Sequence, residues 1–289
     1  MNQDMVLSLA LPVTLFCIMF SMGTALLTRD FRLIVESPVS VLIGIVSQMA
    51  ILPMVALVML ALLQPPPELF VGFMILAFSP GGTTSNMFSY LGRGNVALSI
   101  TLTAIVSLVT PLTIPLLAGQ VIEWQLGSHS EIVLPFAATF AKLVVVTLIP
   151  VVFGMTLRRY QPGFCLRHER LLTRIPLLML FLVILGIIHQ NWASMPLFLA
   201  QTGMPALLLA TLALAAGYVF ARMTRLDETD ARTVAIETGI QNGGTAILVT
   251  GTILNNPTMT IAPVMYGILM LIPTFAYIAL LNRRQAVVA

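Results

Sequence analysis

The sequence predicts an all-α polytopic membrane protein with nine transmembrane helices, arranged as an inverted repeat with two crossing, discontinuous helices. Of its 289 residues, 58% are hydrophobic and only 9% are charged, whereas soluble domains carry roughly 25% charged residues. Apolar stretches of about 20 residues, each able to cross a hydrocarbon core of about 30 Å as a helix, recur along the chain. Short polar joints separate them, so we expect one transmembrane domain over residues 1–289.

The nine apolar stretches define the expected helices. No basic region precedes the first stretch, which follows Asp4, and no A-x-A cleavage pattern comes after it. We therefore expect a retained helix rather than a signal peptide. The predicted spans, numbered one to nine, are 6–27, 38–63, 69–91, 96–118, 132–157, 172–190, 203–221, 233–254 and 259–281.

The arginines predict the orientation of these spans. All thirteen lie in or around the joints that follow odd-numbered spans or after the last span, and joints after even-numbered spans, such as "QPPPE" and "HQNWASM", contain no Lys or Arg. Because positive charge in short loops stays on the cytoplasmic side, we expect the N-terminus outside and the C-terminus inside, in the cytoplasmic (inner) membrane. The net charge of +3 is dispersed among the joints, so it does not indicate nucleic-acid binding.

Two of the spans contain polar, glycine-rich stretches. Span three contains "FSPGGTTSNMF" (78–88) and span eight contains "AIETGIQNGGTAI" (235–247). In each, a proline, Pro111 or Pro273, follows 30 residues after the first glycine of a Gly-Gly-Thr triplet, although few other identities support the alignment. The two spans run in opposite directions, so related segments here would form the inverted repeat of many secondary transporters.

Both stretches fall about halfway through their spans. Glycine and proline there would interrupt the helix, and unpaired backbone groups cost several kcal/mol in lipid unless they face protein or a wet cavity. We therefore expect the two breaks to meet at the membrane midplane.

Glu237 is the only acidic residue that falls clearly inside a span, and ionisable residues at such positions are usually functional. Gln241 and Asn242 follow one helical turn later. Since hard cations such as Na⁺ need several oxygen ligands and a helix break frees backbone carbonyls, this pattern favours a cation site. The alternative for Glu237 is a structural carboxylate that pairs with Lys142 or reaches the cytoplasmic edge. Lys142 itself is open to three interpretations, namely contact with a substrate anion, helix packing and exposure to water.

A second polar group accompanies the other break. Ser85 and Asn86 end that break, and Ser99 and Thr103 lie four residues apart on one face of span four. Hydroxyls at this spacing often bond only the preceding turn, but Asn86 nearby favours a shared polar cluster. Gln48 in span two is interpreted as an interhelical hydrogen-bond residue.

No pattern indicates an enzyme or a resident cofactor. The two cysteines and three histidines are far apart, and Glu237 has no second carboxylate, His pair or Ser–His pair at its depth. This argues against a disulfide framework, a zinc or haem site and an intramembrane hydrolase. The sequence carries no signal for an oligomeric state.

The motifs "PGGTTSNMFSYLGRGNVALS" and "ETGIQNGG" closely resemble the crossover motifs of the bile acid:sodium symporter family, and the similarity extends through almost the entire chain. The resemblance implies a core domain of spans two to four and seven to nine (38–118 and 203–281). This core would move against a panel of spans one, five and six (6–27 and 132–190). The chain is similar to a nine-span form that lacks the first of ten helices.

The resemblance also implies two co-transported sodium ions. By motif, the first Na⁺ site would comprise Ser85, Asn86, Ser99, Thr103 and Glu237. The second would comprise Gln48, Glu237, Gln241 and the backbone carbonyls of Thr238 and Ile240. Only the resemblance makes Gln48 a ligand.

Two Na⁺, one glutamate and one monovalent organic anion sum to zero charge, which would ease movement through a low-dielectric region. Helix N-termini at the breaks would favour the anion, and Thr83 and Asn242 are the candidates for contacting it.

The expected function is sodium-coupled import of an organic anion by alternating access, with a proton-coupled or efflux carrier as the alternative. The substrate would be bile-acid-like or a small carboxylate such as a keto acid or pantoate, although the apolar "GILMLIPTF" of the last span weakens the case for a bile acid.

Overall fold

A computed structural model describes residues 9–82, 84–127, 134–190 and 192–286, and the regular structure of this part is helical apart from one isolated bridge. Short helical turns also lie at Thr28–Arg32, Leu33–Glu36 and Pro162–Arg167. The main helices are α1 (Leu11–Ala25), α2 (Pro38–Leu63), α3 (Pro67–Ala77), α4 (Thr84–Leu91), α5 (Val96–Leu126), α6 (Phe136–Tyr160), α7 (Glu169–Gln190), α8 (Met195–Met223), α9 (Glu228–Gly239), α10 (Gly243–Ile253) and α11 (Pro257–Asn282).

Six helices of the described part, α2, α5, α6, α7, α8 and α11, are long and apolar enough to cross a membrane. A seventh candidate is the pair Leu11–Ala25 and Asp30–Glu36, which is bent by 76°. The prediction of an all-helical, multi-pass membrane protein is confirmed.

Two of the expected spans are interrupted at the stretches that the sequence singled out. One helix ends at Ala77 and restarts at Thr84, and the other ends at Gly239 and restarts at Gly243. The helices α3 and α10 are consequently too short to cross a membrane alone.

Several helices extend beyond their expected spans. The helix α5 continues to Leu126 rather than ending at 118, and α8 begins at Met195 rather than at 203. Hydropathy marks the apolar slab and not the helix end, so polar turns such as "GQVIEWQL" remain helical outside it. Residues 1–8 and 128–133, which include the predicted starts of spans one and five, lie outside the described residues.

The helices around the two breaks are closely packed. The helices α6 and α7 both pack against α1, while α8 packs against α9 and α11 against α3. At the α1–α6 contact, a Cβ on Gly23 would strike the backbone of Val151, and one on Gly154 would strike the backbone of Phe20. Small residues allow such close backbone approach between membrane helices.

A candidate cation site at two paired helix breaks

The two breaks meet and pair through their backbones. The amide of Asn242 donates to the carbonyl oxygen of Pro80 (2.8 Å), and the amide of Gly82 donates to that of Ile240 (3.4 Å). Gly81 and Gln241 lie opposite each other in an antiparallel bridge. Each break thus satisfies backbone groups that the other has freed, which an apolar environment requires.

The carboxylate of Glu237 lies beside this pairing, near the end of α9, and the residue is only 1% exposed. Its Oε1 accepts hydrogen bonds from the hydroxyls of Ser85 (2.5 Å) and Ser99, and its Oε2 accepts one from Thr103 (2.9 Å). Ser85 belongs to α4, and Ser99 and Thr103 lie on one face of α5. The negative charge therefore comes from the second broken span and its donors from the first half of the chain.

Asn86 completes the first predicted ligand set. Its Oδ1 lies 2.8 Å from the hydroxyl of Ser99, so one hydrogen-bonded cluster contains all five residues of that set. Ser89, which the sequence did not indicate, donates to Ser99 across 3.2 Å. The feature of the sequence that could have identified Ser89 is its position one helical turn after Ser85.

The second predicted set contains unsatisfied amides. Gln48 on α2 is buried, and neither its Oε1 nor its Nε2 has a hydrogen-bond partner among the described residues. The Oε1 of Gln241 is also buried without a partner, while its Nε2 donates to the carbonyls of Glu237 (3.2 Å) and Thr238 (3.0 Å). An unsatisfied buried polar group costs about 1–3 kcal/mol, so these two unpartnered amide oxygens favour the predicted role as cation ligands.

The two backbone carbonyls of that set accept hydrogen bonds in this structure. The carbonyl of Thr238 accepts from Gln241, and that of Ile240 accepts from Gly82. Each carbonyl oxygen has a second lone pair, so these bonds do not prevent coordination. The hydroxyl of Thr238 pairs with that of Ser47 (2.8 Å), a further partner that the sequence did not indicate.

Gly81 joins the two ligand sets. A Cβ at this position would lie 2.6 Å from Glu237 Oε2 and 2.9 Å from Gln48 Nε2. Such distances are too short for real contacts, so glycine at this position leaves room for both the carboxylate and the amide beside the break.

The candidates for contacting an anion are only partly described. Thr83 lies outside the described residues. Asn242 caps α10, because its Oδ1 accepts a hydrogen bond from the amide of Thr245 (3.2 Å). Lys142 is exposed on α6 and donates to the carbonyl of Thr252 (3.4 Å). It makes no ion pair with Glu237.

Two adjoining cavities reach the break from the side of α1 and α7. One, of about 210 Å³, is lined in part by Thr103, and the other, of about 160 Å³, in part by Asn242. Both share Ile18, Thr84 and Leu177. A small molecule in this space would therefore lie against the first ligand set and the start of α10 together.

The chemistry of the cluster suits a monovalent cation. Among the described residues, no group of three or more His, Cys, Asp or Glu could hold a metal ion. One carboxylate with neutral hydroxyl and amide oxygens is a hard-oxygen donor set of low charge. It matches Na⁺ better than a divalent transition metal.

The model of the sodium bile acid symporter family matches residues 12–196, which is more than half of the chain. The chain therefore belongs to this family, and the predicted resemblance is confirmed. The matched segment contains the first break and α5 and ends before α9.

Several relatives are named as transporters. The chain is 28% identical over 239 residues to an uncharacterised sodium-dependent transporter of Bacillus subtilis, covering 80% of this chain and 71% of that protein. It is 30% identical over 251 residues to a probable chloroplastic sodium/metabolite cotransporter of Oryza sativa, covering 84% of this chain and 57% of that protein. A sodium-dependent organic anion transporter of Bos taurus is 24% identical over 249 residues, or 83% of this chain and 63% of that protein. The chain thus spans less than two thirds of the plant and bovine proteins.

Proposed function

We propose that this protein is a sodium-coupled secondary active symporter that imports an organic anion by alternating access. The observation that carries the proposal is the burial of Glu237 among hydroxyls from a different part of the chain. A buried carboxylate needs compensation, and a hydroxyl can rotate to present its oxygen to a cation. The same side chains can therefore serve both the ion-free and the ion-bound site.

Two sodium ions are bound as cargo in this proposal. The first is held by Ser85, Asn86, Ser99, Thr103 and Glu237, and the second by Gln48, Gln241, Glu237 and the carbonyls of Thr238 and Ile240. The unpartnered amide oxygens of Gln48 and Gln241 support the second site. With a monovalent anion and Glu237 the loaded site is neutral, which lowers the cost of moving it through a low-dielectric region.

The proposed topology has nine spans: α1, the six long helices, and the two interrupted spans α3–α4 and α9–α10. The interrupted spans run in opposite directions, as in an inverted repeat. The core comprises α2–α5 and α8–α11, and the panel comprises α1, α6 and α7, whose mutual packing supports this division. In this proposal the protein lies in the cytoplasmic membrane with its N-terminus outside and its C-terminus inside. The arginine distribution supports that orientation.

The substrate occupies the space between the panel and the breaks. The two adjoining cavities support this placement, since they lie between α1, α7 and the starts of α4 and α10. The positive ends of these two helices favour a carboxylate, with Thr83 and Asn242 as its contacts. A bile-acid-like molecule or a small carboxylate, such as a keto acid or pantoate, meets this requirement.

Uptake by the purified protein in liposomes tests the proposal. Under an inward Na⁺ gradient, we expect uptake of one or more members of a panel of labelled carboxylates and bile salts, and no uptake when K⁺ replaces Na⁺. A protonophore should leave this uptake intact. Uptake that persists without Na⁺ and collapses with the protonophore would favour the proton-coupled carrier, and transport only outward would favour efflux.

A further inference from the structure

A second hydrogen-bonded cluster joins the beginnings of α5 and α9, away from every proposed sodium ligand. It consists of Asn95, Asp230 and Thr233, and we call it the α5–α9 clamp. The side-chain Nδ2 of Asn95 donates to Asp230 Oδ1 (2.8 Å), and its backbone amide donates to the hydroxyl of Thr233 (2.6 Å). That hydroxyl also lies 3.2 Å from the carbonyl oxygen of Asn95.

The clamp does more than cap a helix. Asn95 Oδ1 accepts the amide of Leu98 (3.1 Å), as an N-cap residue does. This use of Oδ1 leaves Nδ2 and the backbone amide of Asn95 free to donate to α9, while its carbonyl oxygen accepts the amide of Ser99 (3.0 Å) within α5. Asp230 and Thr233 are buried, so the contact is not weakened by solvent in the manner of surface pairs.

The turn before α5 is shaped for this contact. The helix α4 ends with Arg93 in the left-handed region (φ 53°) and with the amide of Gly94 donating to the carbonyl of Ser89 (2.7 Å). A Cβ on Gly94 would lie 2.5 Å from Thr233 Oγ1. Glycine at this position therefore lets the turn approach α9 closely enough for the clamp to form.

Helical periodicity connects the clamp to the sodium site. Asn95, Ser99 and Thr103 lie at successive four-residue steps on one face of α5. Along α9, Glu237 lies seven residues after Asp230, which is two turns further on the same face and about 10 Å away. The clamp and the hydrogen bonds from Ser99 and Thr103 to Glu237 are thus successive contacts between the same two helices.

We infer that Asn95, Asp230 and Thr233 are positioning residues that fix the register of α5 against α9 and thereby set the affinity of the Glu237 site for sodium. None of them contacts the ion. The inference rests on the proposed sodium coupling. A slide between the helices would lengthen and misalign the hydrogen bonds that Ser99 and Thr103 donate to the carboxylate, so affinity depends on the register being held.

Sodium dependence of transport by Asn95→Asp tests this role. The variant keeps a capping oxygen but removes the Nδ2 donor and sets two carboxylates against each other. The Na⁺ concentration for half-maximal uptake should rise about tenfold, the expected cost of losing a buried hydrogen bond to a charged group. The maximal rate at saturating Na⁺ should stay within about twofold, because no ligand is changed.

The reciprocal exchange distinguishes a contact from a general loss of structure. In Asn95→Asp combined with Asp230→Asn, the amide donates from the opposite side, so half-saturation should return to within about twofold of the starting protein. The single change Asp230→Asn keeps an acceptor for Asn95 and should have little effect. If Asn95→Asp does not insert, Thr233→Val removes the other clamp contact without adding charge and should raise the half-saturating Na⁺ concentration in the same direction.

Asn256 provides the matched control. It caps α11 through the amide of Met259 (3.0 Å) and lies outside the clamp, so Asn256→Ala should lower thermal stability and leave the half-saturating Na⁺ concentration unchanged. Unchanged half-saturation in both Asn95→Asp and Thr233→Val would overturn the clamp while the unmodified protein remains sodium-dependent. Absence of sodium dependence in the unmodified protein would instead overturn the proposed function, and the clamp's effect on sodium affinity with it.

Discussion

The two helix breaks differ in length although their motifs are similar. The described part of the first break covers residues 78–82, and the second break covers residues 240–242. The preceding helices end 162 residues apart (239 − 77), but the following helices begin 159 residues apart (243 − 84). The helix ends before the breaks thus keep the spacing of the two Gly-Gly-Thr triplets, whereas the helix starts after the breaks do not. In the bridge, Gly81 lies opposite Gln241 and not opposite the matching glycine, Gly243.

The breaks also differ in what they contribute. The first break is followed by Ser85, whose hydroxyl donates to Glu237, and it brings Gly81 against the carboxylate. The second is preceded by Glu237, and its flanking Gly239 packs against Leu214. The first break therefore supplies a hydroxyl donor and the space beside the carboxylate, and the second supplies the carboxylate. The proposed cation site needs both breaks.

Loss of the charge should have the largest effect. In Glu237→Ala, sodium-driven uptake should fall at least about a hundredfold, because the only carboxylate shared by both proposed ions is gone and its three hydroxyl donors lose a charged partner. Initial uptake rates in liposomes measure this. Glu123→Ala, at an exposed position on α5, should transport normally, and undiminished sodium dependence in Glu237→Ala would refute the ligand role.

Gly81→Ala, which fills the space beside the first break, should have the next largest effect on sodium affinity. A Cβ in Gly81→Ala would collide with Glu237 Oε2 and Gln48 Nε2, and overpacking of this kind typically costs about 1–3 kcal/mol. We expect sodium affinity, measured by titrating uptake, to weaken by about tenfold or more. Gly119→Ala, where the added Cβ has nothing within 4 Å, is the control. Equal sodium affinities in the two variants would argue that sodium binding does not need glycine at position 81.

Removing one donor should cost less. Ser99→Ala deletes a hydroxyl that donates to Glu237, and hydrogen bonds to charged groups contribute about 1.5–3 kcal/mol. Half-saturating Na⁺ should therefore rise about tenfold, as read from uptake titrations. Ser107 on the same helix is buried without a hydrogen-bond partner among the described residues, so Ser107→Ala should leave sodium affinity unchanged. Equal sodium affinity in both variants would contradict this assignment.

Gln48→Leu should change the sodium affinity least, and it should impair one of the two proposed sodium sites without the other. The Hill coefficient for Na⁺ should fall from about 2 toward 1, because one of the two sites loses a ligand. Without Na⁺ the variant should be at least as thermally stable as the unmodified protein, since an unpaired buried amide is replaced by an apolar side chain. Gln201→Leu, exposed on α8, should change neither quantity. A Hill coefficient still near 2 in Gln48→Leu would remove Gln48 from the ligand set.

The sequence predicted the location of the breaks because polar and glycine residues stand out in an apolar chain. Glu237 was identifiable for the same reason. Its partner Ser85 lies 152 positions away, and no spacing rule connects them, so the ligand set depended on family resemblance. The residue pattern alone indicated an interhelical hydrogen-bond role for Gln48, and only the family resemblance made it a candidate ligand.

Other features required coordinates because they depend on distances between helices. No periodicity in the sequence indicates the unequal lengths of the breaks, the position of Gly81 between the two predicted ligand sets or the contact of Asn95 with Asp230. The end of α5 at Leu126 was missed because hydropathy reports the apolar slab, while helical hydrogen bonds continue into polar sequence.

Equilibrium binding of radioactive Na⁺ to the purified protein tests the central claim most directly, that the carboxylate of one break and the hydroxyls of the other hold sodium together. The unmodified protein should bind about two Na⁺ per chain, and Glu237→Gln, which keeps nearly the same shape, should bind none while unfolding at a similar temperature. Binding by Glu237→Gln that equals that of the unmodified protein would contradict the account.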